Sequence, residues 1–412
     1  MRVGVLGGGL QGCCAALALA ARGVRVTLFD RNEQLLSRAA IANEGKIHLG
    51  YMYAGDPTLS TARAMMRGAL HFAPFFARHL GRRPAEFKIS APAVYLVHRD
   101  SQHSVEEISG YLEAVHLLLG EAAKSRPGAY FGAPFPRELR VWSAAERIAE
   151  FDPETIVAAF ETPELAINPV ELALAVRECI AGNPNIEVRL GHTVVSAHDE
   201  SEQVRVHTQQ GGEDGSASYD HVVNALWDGR LAIDKTYGIR VDRPWLHRLK
   251  YGVRFRRHDG APQRSATVIS GPFGEVVSYG DGLTYLTWYP DCGRGISRDT
   301  TPPDWPGEPS EPLRSRIASG TLAALSEFVV SLRGVNLEHV SEFSVQGGTI
   351  VAWGSTDIYD PQSELHRRFE IGVSSVGRFH SVDPGKLTMA PYFADVCADR
   401  IQPVAGNPSR AR

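Results

Sequence analysis

Residues 1–30 read MRVGVLGGGLQGCCAALALAARGVRVTLFD, and this stretch decides the fold. Val3 to Leu6 form a short β-prone apolar run that stops at a glycine-rich turn. Cys13 to Ala21 then has the small residues of a tightly packed helix, and Val24 to Leu28 form a second apolar run that ends at Asp30. Strand, glycine turn, helix and strand in this order predict a βαβ unit.

The glycine turn has the spacing of a dinucleotide-binding site. Gly7, Gly9 and Gly12 fill the pattern G-x-G-x-x-G, which allows a tight turn, a close approach to pyrophosphate and close packing of helix on strand. The helix N-terminus offers free N–H groups to the phosphates. Asp30 follows Gly12 at nearly the ~20 residues expected of the carboxylate that binds ribose hydroxyls. Its charge disfavours NADP, although Arg31 beside it weakens that effect.

The composition of the chain excludes several classes of function. A length of 412 residues predicts two domains, and a net charge of −4 gives no electrostatic case for nucleic acid or anionic membranes. No run reaches the ~18 apolar residues of a membrane span, and three consecutive glycines interrupt the apolar core that a signal peptide needs. The five cysteines contain no C-x-x-C pair. We therefore expect a cytoplasmic protein without a metal site.

Helix and strand patterns alternate along the rest of the chain. Asn32 to Ala40 and Leu59 to Leu80 predict helices, whereas GGEDGSAS at 211–218 predicts a loop. Residues 43–53 contain too many polar residues and glycines for a helix. Segments of βα type occur at both ends and in the middle, with antiparallel strand patterns between them. This arrangement predicts a nucleotide-binding domain that a sheet domain interrupts.

Four landmarks spread along the chain occur together in one known family. The first is the glycine turn with Asp30, and the second is Asn43-x-Gly45-x-Ile47-His48-x-Gly50-x-x-Tyr53. The third is Val222 to Ala225, and the fourth is Gly385 to Thr388 at the start of the last helix. Together they resemble the D-amino-acid-oxidase type of FAD-dependent oxidoreductase, which includes glycine oxidase, glycerol-3-phosphate dehydrogenase and L-2-hydroxyglutarate oxidase. The second landmark resembles the matching segment of the hydroxyglutarate oxidases.

The resemblance implies an α/β fold with bound FAD. A Rossmann-like FAD-binding domain, discontinuous in sequence, would carry an inserted antiparallel-sheet α+β substrate domain. The implied boundaries are 1–84, 166–240 and 346–403 for the FAD-binding domain, 85–165 and 241–345 for the substrate domain, and 404–412 for a disordered tail.

The same resemblance implies which residues contact the cofactor. They are Gly7, Gly9, Leu10, Gln11 and Gly12 at the pyrophosphate, Asp30 with Arg31 at the ribose, Val194, Val195, Asn224 and Ala225 on the adenine side, Asn43, Glu44, Gly45 and Lys46 near the isoalloxazine, and Gly385, Lys386, Leu387 and Thr388 at its O2 edge. A helix N-terminus with Lys386 would stabilise negative charge on the reduced flavin, although a solvated lysine is the alternative.

Removal of a hydride from a C–H next to nitrogen or oxygen requires a positioned carbon and a group that takes the substrate proton. His48 is the candidate base or substrate hydrogen-bonder, and a core histidine or a covalent flavin attachment point is the alternative. Arg254 is the candidate clamp for a substrate carboxylate, or else a surface arginine. Tyr53 and Tyr289 either line the substrate pocket or pack the sheet.

The predicted function is oxidation of a small molecule by FAD through hydride transfer to flavin N5. The substrate would be an amino acid, a secondary amine or a 2-hydroxy acid, and O₂ or an electron carrier would be the acceptor. A flavoprotein monooxygenase that uses NAD(P)H, an NAD-dependent dehydrogenase and a non-catalytic nucleotide-binding protein stay as alternatives. Neither the basic cluster of a glycerol-3-phosphate enzyme nor the tyrosine–arginine pairing of amino-acid oxidases is identifiable.

Overall fold

The computed structural model describes residues 1–81, 86, 88–133, 135–261 and 263–402. The predicted disordered tail, residues 404–412, lies outside the described residues. Within these ranges, every helix is too short or too polar to cross a lipid bilayer.

The described residues form helices and strands that are numbered in chain order. The helices are α1 Leu10–Ala20, α2 Ser60–Leu80, α3 Val105–Lys124, α4 Ala144–Glu150, α5 Pro169–Ala181, α6 Arg230–Thr236, α7 Tyr289–Cys292, α8 Glu311–Phe328 and α9 Ala390–Ile401. The strands are β1 Arg2–Leu6, β2 Arg25–Phe29, β3 Lys46–Ile47, β4 Val94–His98, β5 Arg140–Val141, β6 Ile156–Glu161, β7 Leu165–Ala166, β8 Ile186–Arg189, β9 Thr193–Asp199, β10 Val204–Gln210, β11 Glu213–Tyr219, β12 His221–Asn224, β13 Trp245–Arg256, β14 Ala266–Val268, β15 Gly274–Ser278, β16 Leu283–Trp288, β17 Gly293–Ser297, β18 Ser341–Trp353, β19 Gly372–Val376 and β20 Phe379–Asp383.

The opening βαβ unit lies at the centre of a sheet whose described strands follow the order β19-β20-β12-β1-β2-β8. From β20 to β8 the strands are parallel, and β19 is antiparallel to β20. Every residue of α1 is buried, because its small side chains let it pack between this sheet, α5 and α9. The carboxyl ends of β1, β2 and β12 therefore meet beside the N-terminus of α1, where parallel α/β sheets bind ligands.

A second, mainly antiparallel sheet follows the order β17-β13-β16-β15-β14-β4-β6-β5 among the described strands, and β18 pairs along the length of β13. Apolar side chains of β13 and β16, such as Phe255 and Leu286, pack on α8 through Ile317 and Leu325. This second core is separate from the one around α1. The sheet supplies the wall that faces the glycine turn.

The strands of the two sheets alternate along the chain. The first sheet uses residues from 2–29, 186–189, 221–224 and 372–383, and the second uses residues from 94–161, 245–297 and 341–353. The predicted class, a discontinuous α/β unit with an inserted antiparallel sheet, is confirmed. The residue boundaries assigned to the two domains stay a prediction.

Two local predictions are wrong. Asn32 to Ala40 forms turns, because the N–H of Leu36 donates to the carbonyl of Gly8 at 2.9 Å and the φ of Leu36 is 52°, which no right-handed helix allows. The supposed loop at 211–218 is largely strand β11, which continues the hairpin from β10 despite its polar residues. In both cases a tertiary or cross-strand partner overrides the local composition.

Candidate active site

A cleft of about 480 Å³ is lined by loops that follow strands of the first sheet and by residues of the second sheet. Its walls come from the glycine turn, parts of 36–48, residues 192–195 and 225–229, and residues 384–387. These segments are remote in sequence and lie at the carboxyl ends of the parallel strands. The cleft is therefore built at the edge of the sheet where the sequence predicts a dinucleotide.

The glycine turn has the backbone that its pattern requires. Gly7 has a φ of +98°, and a side chain on Gly12 would lie 1.8 Å from the carbonyl oxygen of Gly7. A side chain on Gly9 would meet no atom of the described chain within 4 Å. Gly9 precedes α1, and no side chain caps that helix. The turn therefore leaves an open cradle beside unpaired N–H groups.

Asp30 lies on the wall of the cleft next to this cradle. Its carboxylate accepts the N–H of Gly8 at 2.7 Å and both the backbone and side-chain N–H groups of Asn32, at 2.8 and 2.7 Å. Arg31 also lines the cleft, and its half-exposed side chain lies 3.7 Å from Asp228. These contacts hold the carboxylate in a single position.

Two remote segments, 43–46 and 385–388, meet at the other end of the cleft. The hydroxyl of Thr388 accepts the backbone N–H of His48 at 2.9 Å and donates to the carbonyl of Lys46 at 3.3 Å. Asn43, Glu44, Lys46, Gly385, Lys386 and Leu387 line the cleft, whereas Gly45 and Thr388 lie behind that lining. The structure thus brings together the two segments that the sequence predicts at the isoalloxazine.

A smaller inner chamber, of about 90 Å³, adjoins this end of the cleft. Among the described residues, five line both cavities: Glu44, His48, Lys250, Tyr289 and Lys386. Tyr53 also lines the inner chamber, and its hydroxyl is buried without a hydrogen-bond partner in the described chain. The inner chamber is therefore a separate space that opens onto the cleft through a few polar side chains.

His48 lies between two carboxylates in the wall of the inner chamber. Its Nδ1 is 3.3 Å from Oε1 of Glu164, without a well-aligned hydrogen bond, and its Nε2 is 3.9 Å from Oε1 of Glu44. Glu164 is fully buried and accepts the backbone N–H of Leu49 at 2.7 Å and the hydroxyl of Tyr95. Because Glu164 is held on two other sides, it can orient the imidazole with Nε2 towards the chamber.

Burial and neighbouring charges shift the pKa values around the chamber. Burial alone would raise the pKa of Glu44, but nearby cations, foremost Lys250 and Lys386, lower it to about 2. The pKa of Lys386 is lowered to about 7, first by burial and then by the neighbouring charge of Arg368. Glu44 is therefore a carboxylate at neutral pH, and the amine of Lys386 titrates near neutrality.

The cations of the chamber are only partly neutralised. Lys46 pairs with Glu275 at 2.6 Å. In the part of the chain that the structure describes, neither Lys250 nor Lys386 forms an ion pair within 4.0 Å, and the guanidinium of Arg368 donates to backbone carbonyl groups alone. Buried cations without partners are a site for an anion.

Comparison with known proteins assigns the chain to a family. The family model of FAD-dependent oxidoreductases, DAO, matches residues 2–344. The chain belongs to this family. A 52-residue segment is also 44% identical to the FAD-dependent monooxygenase FPY4 of Fusarium mangiferae, but it spans 13% of this chain and 14% of that protein.

The fold of this FAD-dependent oxidoreductase is similar to several solved structures over nearly its whole length. Glycine oxidase from Geobacillus kaustophilus has 14% identity and a TM-score of 0.67, with 99% of this chain and 97% of that chain covered. Iminodiacetate oxidase from Chelativorans sp. BNC1 has 15% identity and a TM-score of 0.66, covering 99% and 98%. L-α-glycerophosphate oxidase from Mycoplasma pneumoniae, solved with FAD bound, has 16% identity and a TM-score of 0.62, covering 96% and 94%. The protein is thus an enzyme that uses FAD.

The cleft of this oxidoreductase fits FAD on the evidence of its own residues. The open cradle at Gly9 suits a pyrophosphate, and the amide of Gln11 is buried in the cleft wall with neither polar atom bonded to the described chain. Leu10 lies beside them, and Val194, Val195 and Ala225 form part of the wall. An unpaired buried amide beside a cradle is the pattern expected of a site that a polar ligand completes.

The side chain of Asn224 lies outside the lining of the cleft. It is fully buried, and its amide donates to Oδ1 of Asp234 at 2.8 Å and to the carbonyl of Arg230 at 3.0 Å. Its side chain therefore ties β12 to α6. The family resemblance implies a cofactor contact on the adenine side, but Asn224 is absent from the lining of the cleft.

The structure also places Arg254 away from the inner chamber. Its guanidinium donates to the carbonyl groups of Ile41 and Asn43, at 3.2 and 3.4 Å, behind the segment that lines the cleft. Side chains two residues apart on a strand share a face of the sheet. Further along β13, Arg248 and Lys250 are the cations that line the chamber. Arg254 thus lies on the strand that contributes to the chamber, but outside the lining of the chamber.

The sequence analysis missed Lys250 and Arg368, which line the chamber, and Glu164, which lies behind His48. Each is remote from the glycine turn and has no motif around it. Glu164 lies in a short connection between β6 and β7, and Arg368 lies between β18 and β19. The one available signal was an acidic or basic residue inside an otherwise apolar segment, such as Glu164 in ETPELAI.

Proposed function

We propose that this oxidoreductase oxidises the carbon–hydrogen bond next to the nitrogen of a small amino acid or N-substituted amino acid. The observation that carries the proposal is the inner chamber, which shares five lining residues with the FAD cleft and holds buried cations beside His48. When bound, FAD supplies the acceptor for the hydride from that carbon. The chain then has to hold the substrate's carboxylate, accept a proton from the substrate's ammonium group and exclude water.

The cations provide the hold on the acid group. Arg368 is buried and Lys386 is half-buried in the lining of the chamber, and a carboxylate between them would neutralise charges that have no acidic partner within 4.0 Å in the described chain. The glycine oxidase and iminodiacetate oxidase to which the chain is similar are named for substrates that have an amine nitrogen one carbon from a carboxylate. That similarity supports an amino acid over a 2-hydroxy acid.

His48 provides the proton acceptor. Its Nδ1 faces the fixed carboxylate of Glu164, which favours the tautomer that keeps Nε2 free to accept a proton from the substrate's ammonium group. The burial of His48 and Tyr53 keeps bulk water away from this proton. A free Nε2 next to the anion site is the geometry expected of a general base.

The test is anaerobic reduction of the purified yellow protein by a panel of amino acids, N-methyl amino acids and 2-hydroxy acids. We expect loss of the visible flavin absorption with amino acids and little change with 2-hydroxy acids. His48→Ala should slow this reduction about 100-fold, whereas His198→Ala, which changes an exposed histidine on β9, should leave it intact. An unaltered rate in His48→Ala would leave His48 as a packing residue.

The same experiment separates the alternatives. Rapid bleaching by NAD(P)H in the absence of any amine or hydroxy acid would replace the proposal by a flavoprotein monooxygenase, the class of the FPY4 protein to which a short segment is similar. If only 2-hydroxy acids reduce the flavin, the substrates are 2-hydroxy acids and not amino acids. Family membership favours FAD over the NAD-dependent alternative.

A further inference from the structure

An outer chamber of about 420 Å³ lies beyond the inner chamber. Arg248, Lys250 and Tyr289 line both chambers and form the wall between them. The outer chamber continues over β17, where Arg294 and Ile296 line it, and reaches Tyr359. A ligand that starts in the inner chamber can therefore extend past this wall into a larger space.

The outer chamber has an excess of positive charge. Arg248 is 6% exposed; it donates to Asp357 at 2.7 Å, but its Nε has no hydrogen-bond partner in the described chain. Arg294 lies 3.9 Å from Asp291, which is too far for a hydrogen bond. With Lys250 there are three cations, and Asp357 is the carboxylate in the described lining.

The outer chamber also has apolar side chains that stay exposed. Ile296 is 55% exposed and Tyr359 is 57% exposed, although most large apolar side chains of the described chain are buried. Exposed apolar side chains that line a concave site mark ligand contacts, and a tyrosine ring offers a face for stacking. Cations and an exposed aromatic face thus occur in one space.

We propose that the outer chamber binds the part of the substrate that does not react, and that this part is a flat ring with an acidic substituent. The inference rests on the proposed function, in which the amino acid end lies in the inner chamber. That chamber, at about 90 Å³, has room for roughly six to nine water-sized groups, since each needs ~10–15 Å³ of such volume. The ring would lie against Tyr359 and Ile296, and its acidic group would meet Arg294.

The test uses three acids that do not react: acetate, phenylacetate and 4-carboxyphenylacetate. Each is titrated into the holoenzyme, and the Kd is read from the shift in flavin absorption. We expect phenylacetate to bind about 5-fold more tightly than acetate, and 4-carboxyphenylacetate about 5-fold more tightly again. Equal Kd values for the three acids would overturn the proposal.

Two substitutions test which side chain causes each of the two gains in affinity. Tyr359→Ala should bring the ratio of the acetate and phenylacetate Kd values towards one, and Arg294→Gln should abolish the gain from the second carboxylate. The matched control is Arg316→Gln, which changes an exposed arginine on α8 and should keep both ratios. If neither Tyr359→Ala nor Arg294→Gln changes these Kd ratios, the ring binds elsewhere and the proposal is wrong.

The proposed reaction and the proposed role of the outer chamber can be tested separately. If no member of the amine panel reduces the flavin, but the acid series binds with the expected order, the reaction is wrong and the outer chamber stands. If amino acids reduce the flavin and the acid series shows no order, the outer chamber is wrong and the reaction stands.

Discussion

Nδ1 of His48 lies 3.3 Å from the carboxylate of Glu164, which is fully buried. The backbone N–H of Leu49 and the hydroxyl of Tyr95 hold the same carboxylate, so it cannot turn away from the imidazole. Burial alone would raise the pKa of Glu164, but the neighbouring His48 and Lys46 lower it below its usual value. An ionised carboxylate is thus fixed behind the residue that we propose as the base.

Glu164→Gln should slow anaerobic flavin reduction about 100-fold, because the amide cannot stabilise an imidazolium and can favour the wrong tautomer of His48. The measurement is the rate of reduction against pH with a saturating amino acid. The pH at which the rate is half-maximal should move, which a purely structural loss would not produce. Glu161→Gln, on β6 and half-buried, is the control. An unchanged pH profile in Glu164→Gln would contradict the positioning role.

Arg368→Lys should raise the KM of a carboxylate substrate about tenfold, because Nε and Nη1 of the guanidinium bond backbone carbonyl groups and leave Nη2 for the substrate, and an ammonium cannot make both sets of bonds. Arg254→Lys is the matched control, since Arg254 contacts the backbone behind the cleft. The measurement is steady-state kinetics with the best amino acid of the panel. A larger KM effect in Arg254→Lys would restore the role that the sequence predicts for it.

The affinity for acetate should fall as pH rises through about 7, because Lys386 has a pKa of about 7 and carries its charge below that value. The groups that face its amine are Arg368, Glu44, Lys250 and Glu275. We expect a loss of about tenfold between pH 6 and pH 8.5 in titrations of the holoenzyme. The Lys386→Arg variant should still bind acetate tightly at pH 8.5, and the Lys386→Met variant should bind acetate weakly at both pH values. The same pH slope in Lys386→Met would assign the titration to another group.

Asp30→Ala should weaken FAD retention about tenfold while the protein stays soluble, because the substitution removes a charged acceptor from the cleft wall. The measurement is the Kd of FAD for protein from which the flavin has been stripped. Glu33→Ala, a little further along the chain and outside the cleft lining, is the control. If FAD binds equally tightly to Asp30→Ala, the ribose role is refuted.

Asp395→Asn should lower the free energy of unfolding at pH 7 by about 2 kcal/mol, because a buried carboxylate that holds His71 and the half-exposed Arg78 of α2 is lost. Its carboxylate is 2.8 Å from Nε2 of His71 and 2.6 Å from Arg78. Burial alone would raise the pKa of Asp395, but these contacts hold it well below its usual range. The measurement is chemical denaturation of the wild type and the variant at several pH values.

The pH dependence of that effect has a defined sign. A lowered folded-state pKa means that the stabilisation by Asp395 is full above the unfolded value, ~3.9, and is lost as pH falls through the folded value. The difference between wild type and Asp395→Asn should therefore shrink below about pH 4. Asp399→Asn is the control, because Asp399 contacts Arg22 at 2.5 Å but is 28% exposed and should cost about 1 kcal/mol or less.

Most residues that the sequence predicts for the cofactor line the cleft, and of those that it predicts for the substrate, His48, Tyr53 and Tyr289 line the inner chamber. The glycine turn, Asp30 and residues 43–46 could be recognised because each depends on a short local pattern of backbone and side chain. Asn224 and Arg254 could not be placed, because the direction of a side chain on a buried strand depends on which neighbours bond to it. The same reason explains the turns at 32–40, where Gly8 competes for the N–H of Leu36.

By itself, the sequence determined the βαβ unit, the dinucleotide site and the likeness to a flavin-dependent family, because glycine spacing and apolar alternation act within a few residues of chain. Only the tertiary structure decided which charges face the substrate. Lys250 and Arg368 line the inner chamber and Glu164 lies behind its His48, because the fold brings one strand and two connections together beside the cleft. Contacts between residues so far apart in sequence produce no local sequence pattern. Their proximity is therefore visible only in the folded structure.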